Sequence, residues 1–369
     1  MVDTLDSKPT IRPSREQFLM IPYSNDVLCF DDILLVPQYG NVSSRHEVGL
    51  EMTIGIHKDR VVILSLPVIA APMDTVCDLW MCMVIGDAGG LGILHRYMSE
   101  KDMINKTQTL ASYQKTKKNF VFGVAVGSSC HIDYLNSLYD SGARIFLVDT
   151  ANGHSEQAIS SVSRIRKLYE DVHIMAGNVA TAEGFSRLAE AGADSVRVGI
   201  GGGSACTTRI ISGHGVPTLA SIVDINDWAS SREIKCTIIA DGGIRNSGDM
   251  VKAFAAGAGA VMVGSMLAGT DEAPGKILKD INGKDVKAFR GMASADAQQD
   301  ANGRVSVAEG ISTTVSYKGS VGHILDQIRG GLGSGCSYSG VRLLSELNSQ
   351  AEYVKVSALS INESKPHAI

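Results

Sequence analysis

The stretch Ala191-Gly192-Ala193-Asp194-Ser195-Val196-Arg197-Val198-Gly199 decides the fold, because it joins a helix end to a short buried strand. Gly192 lies where a helix would end, and the residues after it have the composition of a strand. The arrangement occurs twice more, as Ser141-Gly142-Ala143 before Val148-Asp149 and as Ala256-Gly257-Ala258 before Val263-Gly264. This internal repeat predicts helix–strand units in which Asp149, Gly199 and Gly264 end their strands.

Eight candidate strands alternate with amphipathic helices along the middle of the chain. The strands are Val61–Ile69, Gly92–His95, Phe120–Val126, Ile145–Asp149, His173–Ala176, Ser195–Gly199, Thr237–Ala240 and Ala260–Gly264. The clearest helices are Ser155–Tyr169, Ala182–Ala191 and Ser247–Ala256. Eight strands with helical crossovers favour a closed (β/α)8 TIM barrel of the α/β class, with its chemistry at the C-terminal ends of the strands.

The composition indicates a cytoplasmic protein whose partner is a small molecule. The net charge is −5, so the chain lacks the excess of positive charge that is typical of proteins that bind nucleic acid or an anionic membrane. The longest apolar stretch, Val61–Met73, is interrupted by Pro67 and Pro72 and is too short to span a bilayer. The seven cysteines form no CxxC pair and have no histidines at metal spacing, which favours a reducing compartment without structural zinc.

The chain divides into an N-terminal arm, residues 1–27, and a single catalytic domain, residues 28–369. Within that domain the polar segment of residues 279–318, here called the flap, interrupts the alternation of strands and helices. Long polar segments inside compact enzymes are typically lids or disordered, and we expect a mobile flap with no core strand after Phe289–Met292. Residues 358–369 are expected to form a C-terminal tail.

Cys206 ends a glycine-rich turn, Gly199-Ile200-Gly201-Gly202-Gly203-Ser204-Ala205-Cys206-Thr207-Thr208-Arg209. The glycines let the backbone approach a ligand closely, and the charge of Arg209 would favour the thiolate form of Cys206. The turn therefore predicts a nucleophilic thiol. An inert cysteine beside a flexible loop is the alternative that these residues alone leave open.

Two later glycine turns, Ala240-Asp241-Gly242-Gly243-Ile244 and Val263-Gly264-Ser265, predict a phosphate site. Backbone N–H groups at such turns bind anions, and barrels often bind phosphate after their last two strands. Asp241 would accept hydrogen bonds from ribose hydroxyls, with helix capping as its alternative role. Asp149 and Asn178 would lie around the same mouth of the barrel.

These motifs, in this order, resemble the family of inosine monophosphate (IMP) dehydrogenases and guanosine monophosphate (GMP) reductases. The resemblance covers roughly residues 28–365. The matching motifs are Phe30-Asp31-Asp32-Ile33-Leu34-Leu35-Val36-Pro37, Ala71-Pro72-Met73-Asp74-Thr75-Val76, Ala176-Gly177-Asn178-Val179, the Cys206 turn, Ala240-Asp241-Gly242-Gly243-Ile244 and Gly291-Met292. The resemblance implies a purine nucleotide as the ligand and a homotetramer as the assembly.

By this resemblance, Cys206 attacks C2 of the purine to form a covalent thioimidate, and Thr208 assists proton transfer. The implied substrate-binding residues are Met73, Ser204, Ala205, Asp241, Gly243, Gly264, Ser265, Gly291, Met292 and Ala293. The implied cofactor-binding residues are Asp149, Thr150, Asn178 and Gly199. Backbone carbonyls of Gly201, Gly203 and Cys206 would bind a potassium ion.

The two activities of the family run the same hydride chemistry in opposite directions. The dehydrogenases use an Arg-Tyr pair in the flap to activate water, and no such pair occurs between Met292 and Lys318. The CBS insertion common in dehydrogenases is also absent between His95 and Phe120. The sequence thus favours a GMP reductase, which converts GMP to IMP and ammonia with NADPH.

The proton donor of such a reductase is not obvious in this chain. A glutamate usually follows the Gly-Met motif, but Ala295 stands at that position here. Asp296 and Glu309 are the two candidates to replace it as a catalytic acid.

Two alternatives remain open from the sequence. One is an IMP dehydrogenase without CBS domains, which would oxidise IMP to XMP with NAD; its water would be activated by Glu309 or Arg304. His95-Arg96-Tyr97-Met98-Ser99 is similar to dehydrogenase sequences and supports this alternative. The other is a catalytically inactive purine-nucleotide-binding protein, which has no need of the thiol of Cys206.

Overall fold

The computed structural model describes residues 27–57, 60–357 and 359–365. Its strands are β1 (Ile33–Leu35), β2 (Met52–His57), β3 (Arg60–Leu64), β4 (Val68–Ala70), β5 (Leu91–Leu94), β6 (Phe122–Val126), β7 (Ile145–Asp149), β8 (His173–Val179), β9 (Ser195–Val198), β10 (Thr237–Asp241), β11 (Ala260–Val263), β12 (Leu278–Lys279), β13 (Asp285–Arg290), β14 (Ser312–Ser316) and β15 (Tyr353–Lys355). Its α-helices are Leu79–Asp87, Glu100–Gln114, Ile132–Asp140, Glu156–Leu168, Ala182–Glu190, Thr208–Ile211, Thr218–Ser230, Ser247–Ala255, Ala295–Asn302, Val321–Tyr338, Leu347–Gln350 and Ser360–Glu363. Residues 1–26 of the predicted arm, and residues 358 and 366–369 of the predicted tail, lie outside the described residues.

Strands β4 to β11 form a closed parallel barrel in chain order, and β11 pairs back to β4. Helices alternate with these strands, so the predicted (β/α)8 TIM barrel is confirmed. Helix Glu100–Gln114 occupies the connection between β5 and β6, and no CBS insertion lies there. In the described part of the chain, no helix is both long and apolar enough to cross a membrane.

The repeat that predicts the barrel has a clear backbone basis. Gly142, Gly192 and Gly257 each follow a barrel helix with φ of 104°, 108° and 112°. This left-handed conformation ends a helix and strongly favours glycine. Because the chain turns there into the next strand, Asp149 ends β7 and Gly199 and Gly264 directly follow β9 and β11, as predicted.

One predicted strand is wrong as a single element, and the ends of six others differ from the prediction by one to three residues. Val61–Ile69 is not one strand but two, since β3 ends at Leu64 and β4 begins at Val68. Pro67 lies between them and has no N–H group for a ladder hydrogen bond, which breaks the run. Strand β3 pairs instead with β2 in an antiparallel hairpin.

The flap is folded rather than a bare loop. Strands β12, β13 and β14 form an antiparallel sheet, and helix Ala295–Asn302 lies between β13 and β14. Strand β14 is mostly exposed, in agreement with the prediction that no core strand follows Phe289–Met292. The mobility of the flap stays a prediction.

Candidate active site

The Cys206 turn begins at the C-terminal end of β9 and continues into the short helix Thr208–Ile211. The turn is closed by a hydrogen bond from the backbone N–H of Cys206 to the carbonyl of Gly203, at 3.0 Å. The half-buried thiol of Cys206 donates to Oγ1 of Thr208 at 3.2 Å. The thiol of the predicted nucleophile is therefore in contact with a hydroxyl that can both accept and donate a proton.

Gly199 has the least room for a side chain among the glycines of the turn. Its φ is 144°, and a Cβ built on it would lie 1.8 Å from the carbonyl oxygen of Asp241. This close approach brings the end of β9 against the end of β10. Glycine is required here for both conformation and space.

A buried arginine joins the two acidic residues of the barrel mouth. Arg197 of β9 is 8% exposed, and its guanidinium donates to Oδ1 of Asp149 at 2.6 Å and to Oδ2 of Asp241 at 2.8 Å. Arg96 donates to the second oxygen of Asp149 at 3.2 Å. The four side chains form one charge-balanced network across the mouth.

Asp241 keeps one oxygen available to a ligand. Its Oδ2 accepts from Arg197 and also from Nδ2 of Asn178, at 2.7 Å. Within the described residues no hydrogen bond reaches its Oδ1. That oxygen suits a ribose hydroxyl, while the occupied oxygen fixes the orientation of the carboxylate.

The network also keeps Asp149 ionised. Burial acts to raise the pKa of this carboxyl, but the charges of Arg197 and Arg96 outweigh burial and hold the pKa below its usual value. The same carboxylates raise the pKa of Arg197 despite its burial. The mouth of the barrel therefore holds fixed charges at neutral pH.

The flap closes over the thiol through backbone hydrogen bonds. The N–H of Thr207 donates to the carbonyl of Glu309, and the N–H of Ile311 donates to the carbonyl of Ala205, both at 3.0 Å. Gly310 has little room for a side chain, since a Cβ there would lie 3.1 Å from the carbonyl oxygen of Ala205. The flap thus lies directly against the Cys206 turn.

A cavity of about 460 Å³ opens at this mouth, and nearly all predicted site residues line it. They are Met73, Asp149, Thr150, Asn178, Gly199, Gly201, Gly203, Ser204, Ala205, Cys206, Thr208, Asp241, Gly243, Gly264, Ser265, Gly291, Met292, Ala293 and Glu309. The turns that hold Gly243 and Gly264 meet on one side of it, where the phosphate was predicted.

Asp296 differs from the other candidates. It is an exposed residue in the first turn of helix Ala295–Asn302 and does not line the cavity. The same turn position suits an acidic residue for a structural reason, because it lies at the positive end of the helix dipole. Glu309, by contrast, lines the cavity beside the Cys206 turn.

Arg209 does not contact the thiol. Its guanidinium donates to the carbonyl of Val216 at 3.2 Å, and its side chain packs over Gly201 and Gly215. The expected effect of its charge on Cys206 therefore has no direct contact to support it.

Three further residues line the cavity although no motif of the sequence gives them a role in the site: Arg96, Tyr97 and Arg197. Arg197 carried a usable signal, since it is the one charged residue in the strand Ser195–Val198. A charge inside a barrel strand needs a buried partner, and such partners are frequent at active sites.

Comparison with known proteins gives a consistent result. The model of the IMP dehydrogenase / GMP reductase domain matches residues 27–367. The IMP dehydrogenase of Nitrosopumilus maritimus is 32% identical, over 93% of this chain and 98% of that protein. The IMP dehydrogenase of Borreliella burgdorferi is 33% identical, over 94% of this chain and 98% of that protein.

A solved structure is similar over almost the whole chain. It is a variant of GMP reductase from Trypanosoma brucei in complex with GMP, with a TM-score of 0.85 and 29% identity. The match covers 94% of this chain and 99% of that chain. The alignment with the Nitrosopumilus protein runs over 474 positions, more than the 369 residues here, so that relative contains residues without a counterpart in this chain.

Proposed function

Because the chain belongs to the IMP dehydrogenase / GMP reductase family, whose members are oxidoreductases that use nicotinamide cofactors, we propose that it is a GMP reductase. In this reaction GMP, NADPH and two protons give IMP, NADP⁺ and ammonium. The purine C2 loses its amino group and gains a hydride.

The reductase reaction is supported by the one ionisable group with which the described flap residues line the cavity. Among the described flap residues that line the cavity, Glu309 is the one with a titratable side chain. Reductive deamination needs a proton donor for the departing ammonia, which a carboxyl group can be. Arg304, the flap cation considered for water activation, is exposed and does not line the cavity.

The contacts of Cys206 allow the proton to move with the chemistry. As Sγ forms a bond to C2, the thiol proton passes to Oγ1 of Thr208, 3.2 Å away, and on to the amino group that leaves as ammonia. As the bond between C2 and this nitrogen breaks, Glu309 protonates the lone pair that develops on the nitrogen, so that the ammonia becomes ammonium. After C2 accepts hydride, the bond between C2 and Sγ breaks and the Cys206 thiolate returns.

The residues at the mouth fit a nucleotide and a nicotinamide side by side. The turns at Gly243 and Gly264 would bind the phosphate, and Oδ1 of Asp241 would accept from the ribose. Thr150, Asn178 and Gly199 would flank the nicotinamide; when bound, NADPH supplies the hydride. Its preference over NAD is part of the proposal.

Two further features belong to the proposal. Potassium would bind the carbonyls of Gly201, Gly203 and Cys206, although the carbonyl of Gly203 already accepts the N–H of Cys206. A homotetramer is the proposed assembly.

An IMP dehydrogenase is the second candidate, favoured by the names of the curated relatives. Their identities of 32% and 33% extend over more than nine-tenths of this chain. For this activity Glu309 would act as the base toward water, and NAD would accept the hydride from IMP.

The deciding experiment follows the near-ultraviolet absorbance of reduced nicotinamide with the full chain. Loss of absorbance with GMP and NADPH supports the reductase, and a gain with IMP and NAD overturns it in favour of the dehydrogenase. Cys206→Ala and Cys206→Ser serve as controls and should abolish either signal. If GMP binds the wild type but neither reaction proceeds, the chain is a nucleotide-binding protein and the proposal fails.

A further inference from the structure

Arg290 does not line the cavity, but it lies next to residues that do. It is the last residue of β13, directly before Gly291, Met292 and Ala293, which line the cavity. A residue at this point controls where the three lining residues lie. Arg290 and its partners were not among the predicted site residues.

The guanidinium of Arg290 is held by Asp74, which follows the cavity residue Met73. Nε donates to Oδ2 of Asp74 at 3.0 Å, and Nη2 donates to the same oxygen at 2.5 Å. The two side chains are only 20% and 13% exposed. A pair shielded from water in this way, with a planar fork on a carboxylate, is geometrically specific.

Backbone contacts reinforce the same junction. The N–H of Arg290 donates to Oγ1 of Thr75 at 3.2 Å, and the N–H of Asp74 donates to Sδ of Met292 at 3.4 Å. Two flap residues, Arg290 and Met292, are therefore joined by three residue pairs to Asp74 and Thr75 of the loop after β4. This junction places the sulfur of Met292 next to the backbone that follows Met73, and both methionines line the cavity.

A second carboxylate binds the same guanidinium from the flap helix. Nη1 of Arg290 donates to Oδ2 of Asp300 at 2.7 Å. Asp300 is 65% exposed, in contrast to Asp74. Exposed ion pairs are weak and screened by salt, so the two partners of Arg290 differ in strength.

We propose that Arg290 is a positioning residue that fixes the flap against the barrel, with Asp74 as its permanent partner and Asp300 as its exchangeable one. The bond to Asp74 sets the position of Gly291–Ala293 on the nucleotide. The bond to Asp300 sets how closely helix Ala295–Asn302, and with it the cover over Cys206, lies on the barrel. The effect on the nucleotide rests on the proposed function, while the effect on the cover of Cys206 does not.

The first test therefore needs no nucleotide. Alkylation of Cys206 by iodoacetamide is followed by peptide mass mapping in the full-length protein, with Cys29, Cys130 and Cys236 as internal references. Arg290→Lys keeps the charge but loses the fork and should speed alkylation of Cys206 by about tenfold. Asp300→Asn should speed it by about twofold at low salt and leave it unchanged at high salt.

Matched variants separate positioning from loss of folding. Lys279→Met removes an exposed ion pair with Asp285 in the same flap sheet and should leave the alkylation rate unchanged. Arg290→Met leaves Asp74 without its partner and is expected to fold poorly. Arg290→Met combined with Asp74→Asn removes both charges, should restore the melting temperature, and should still expose Cys206.

The second test measures turnover in the same variants. Arg290→Lys should raise the KM for the nucleotide more than it lowers kcat, because Arg290 touches no reacting atom. The proposal is overturned if Arg290→Lys and the double variant alkylate Cys206 at the wild-type rate. If the wild type turns over neither GMP nor IMP, the proposed function fails, and the alkylation result still decides the role of Arg290.

Discussion

Nη1 of Arg197 lies 2.6 Å from Oδ1 of Asp149, and this contact joins β9 to β7 across the intervening strand β8. The same guanidinium reaches Asp241, so one side chain orients the carboxylates on the predicted cofactor side and ribose side. The orientation of both carboxylates therefore depends on Arg197, which is the one charged residue of β9.

Replacement of Arg197 by Met should lower stability and activity together. Two buried carboxylates then lose their main partner, and loss of one partner of a buried pair typically costs about 3–5 kcal/mol. Arg197→Lys keeps a charge but not the fork, so it should fold while kcat/KM falls by about tenfold or more. Urea unfolding and steady-state kinetics measure the two effects. Unchanged kinetics in Arg197→Lys would show that the network does not orient the site.

Glu309 and Asp296 give a matched pair of variants for the catalytic acid. Glu309→Gln should lower kcat by about 100-fold or more, since general acid catalysis contributes roughly that much. Asp296→Asn removes an exposed carboxylate outside the cavity and should leave kcat within about threefold, because exposed charges contribute little. The reverse pattern in a kcat measurement would assign the acid to Asp296.

Buried His173 should make stability depend on pH. Burial lowers its pKa to about 4, against the opposing charge of Asp194 and with a smaller contribution from Arg166. In the unfolded chain the ordinary pKa is 6.5, so the unfolded state binds more protons between these values. This contribution is fully present above pH 6.5 and is lost progressively down to about pH 4.

At pH 5 the loss should reach about 2 kcal/mol relative to neutral pH. His173→Gln, which keeps a polar side chain near Ser195, should lack this component in urea unfolding at the two pH values. Asp149 does not contribute in this range, because its pKa is lowered rather than raised. Equal pH dependence in wild type and variant would contradict the assignment.

Gly199→Ala should be far more harmful than Gly213→Ala. Both positions have positive φ, 144° and 72°, but a Cβ at Gly213 meets nothing within 4 Å. Gly213→Ala should cost about 1 kcal/mol of backbone strain. At Gly199 the clash with Asp241 adds overpacking, for a total of about 3 kcal/mol or more. Thermal unfolding compares the stability of the two variants. Equal losses of stability would mean that β9 and β10 move apart at Gly199 without a cost in free energy.

Much of the site could be predicted because its parts are local in sequence. The glycine turns at Cys206, Gly243 and Gly264 each follow a strand, and parallel barrel strands all end on one face. That rule alone brings them together. The resemblance to a known family then assigns roles to single residues, as with Met292.

The flap shows where such prediction ends. The sequence alone does not distinguish Asp296 from Glu309 as the catalytic acid, since both are carboxylates in one polar segment. Their difference arises from the helix at Ala295, which turns Asp296 to solvent, and from the backbone bond between Thr207 and Glu309. The helix has a local signal, since Ser294 caps its N-terminus, but the contact between Thr207 and Glu309 has none in the segment itself.

The sequence by itself determined the barrel, the order of its strands and the face that holds the chemistry, because strand periodicity and helix-ending glycines act over a few residues. Only the tertiary structure decided which charges meet: Arg197 with Asp149 and Asp241, and Arg290 with Asp74 and Asp300. Arg290 and Asp74 are 216 positions apart in the chain. Such pairs depend on distances in space that the closed barrel and the docked flap set, and an ion pair forms only at those distances.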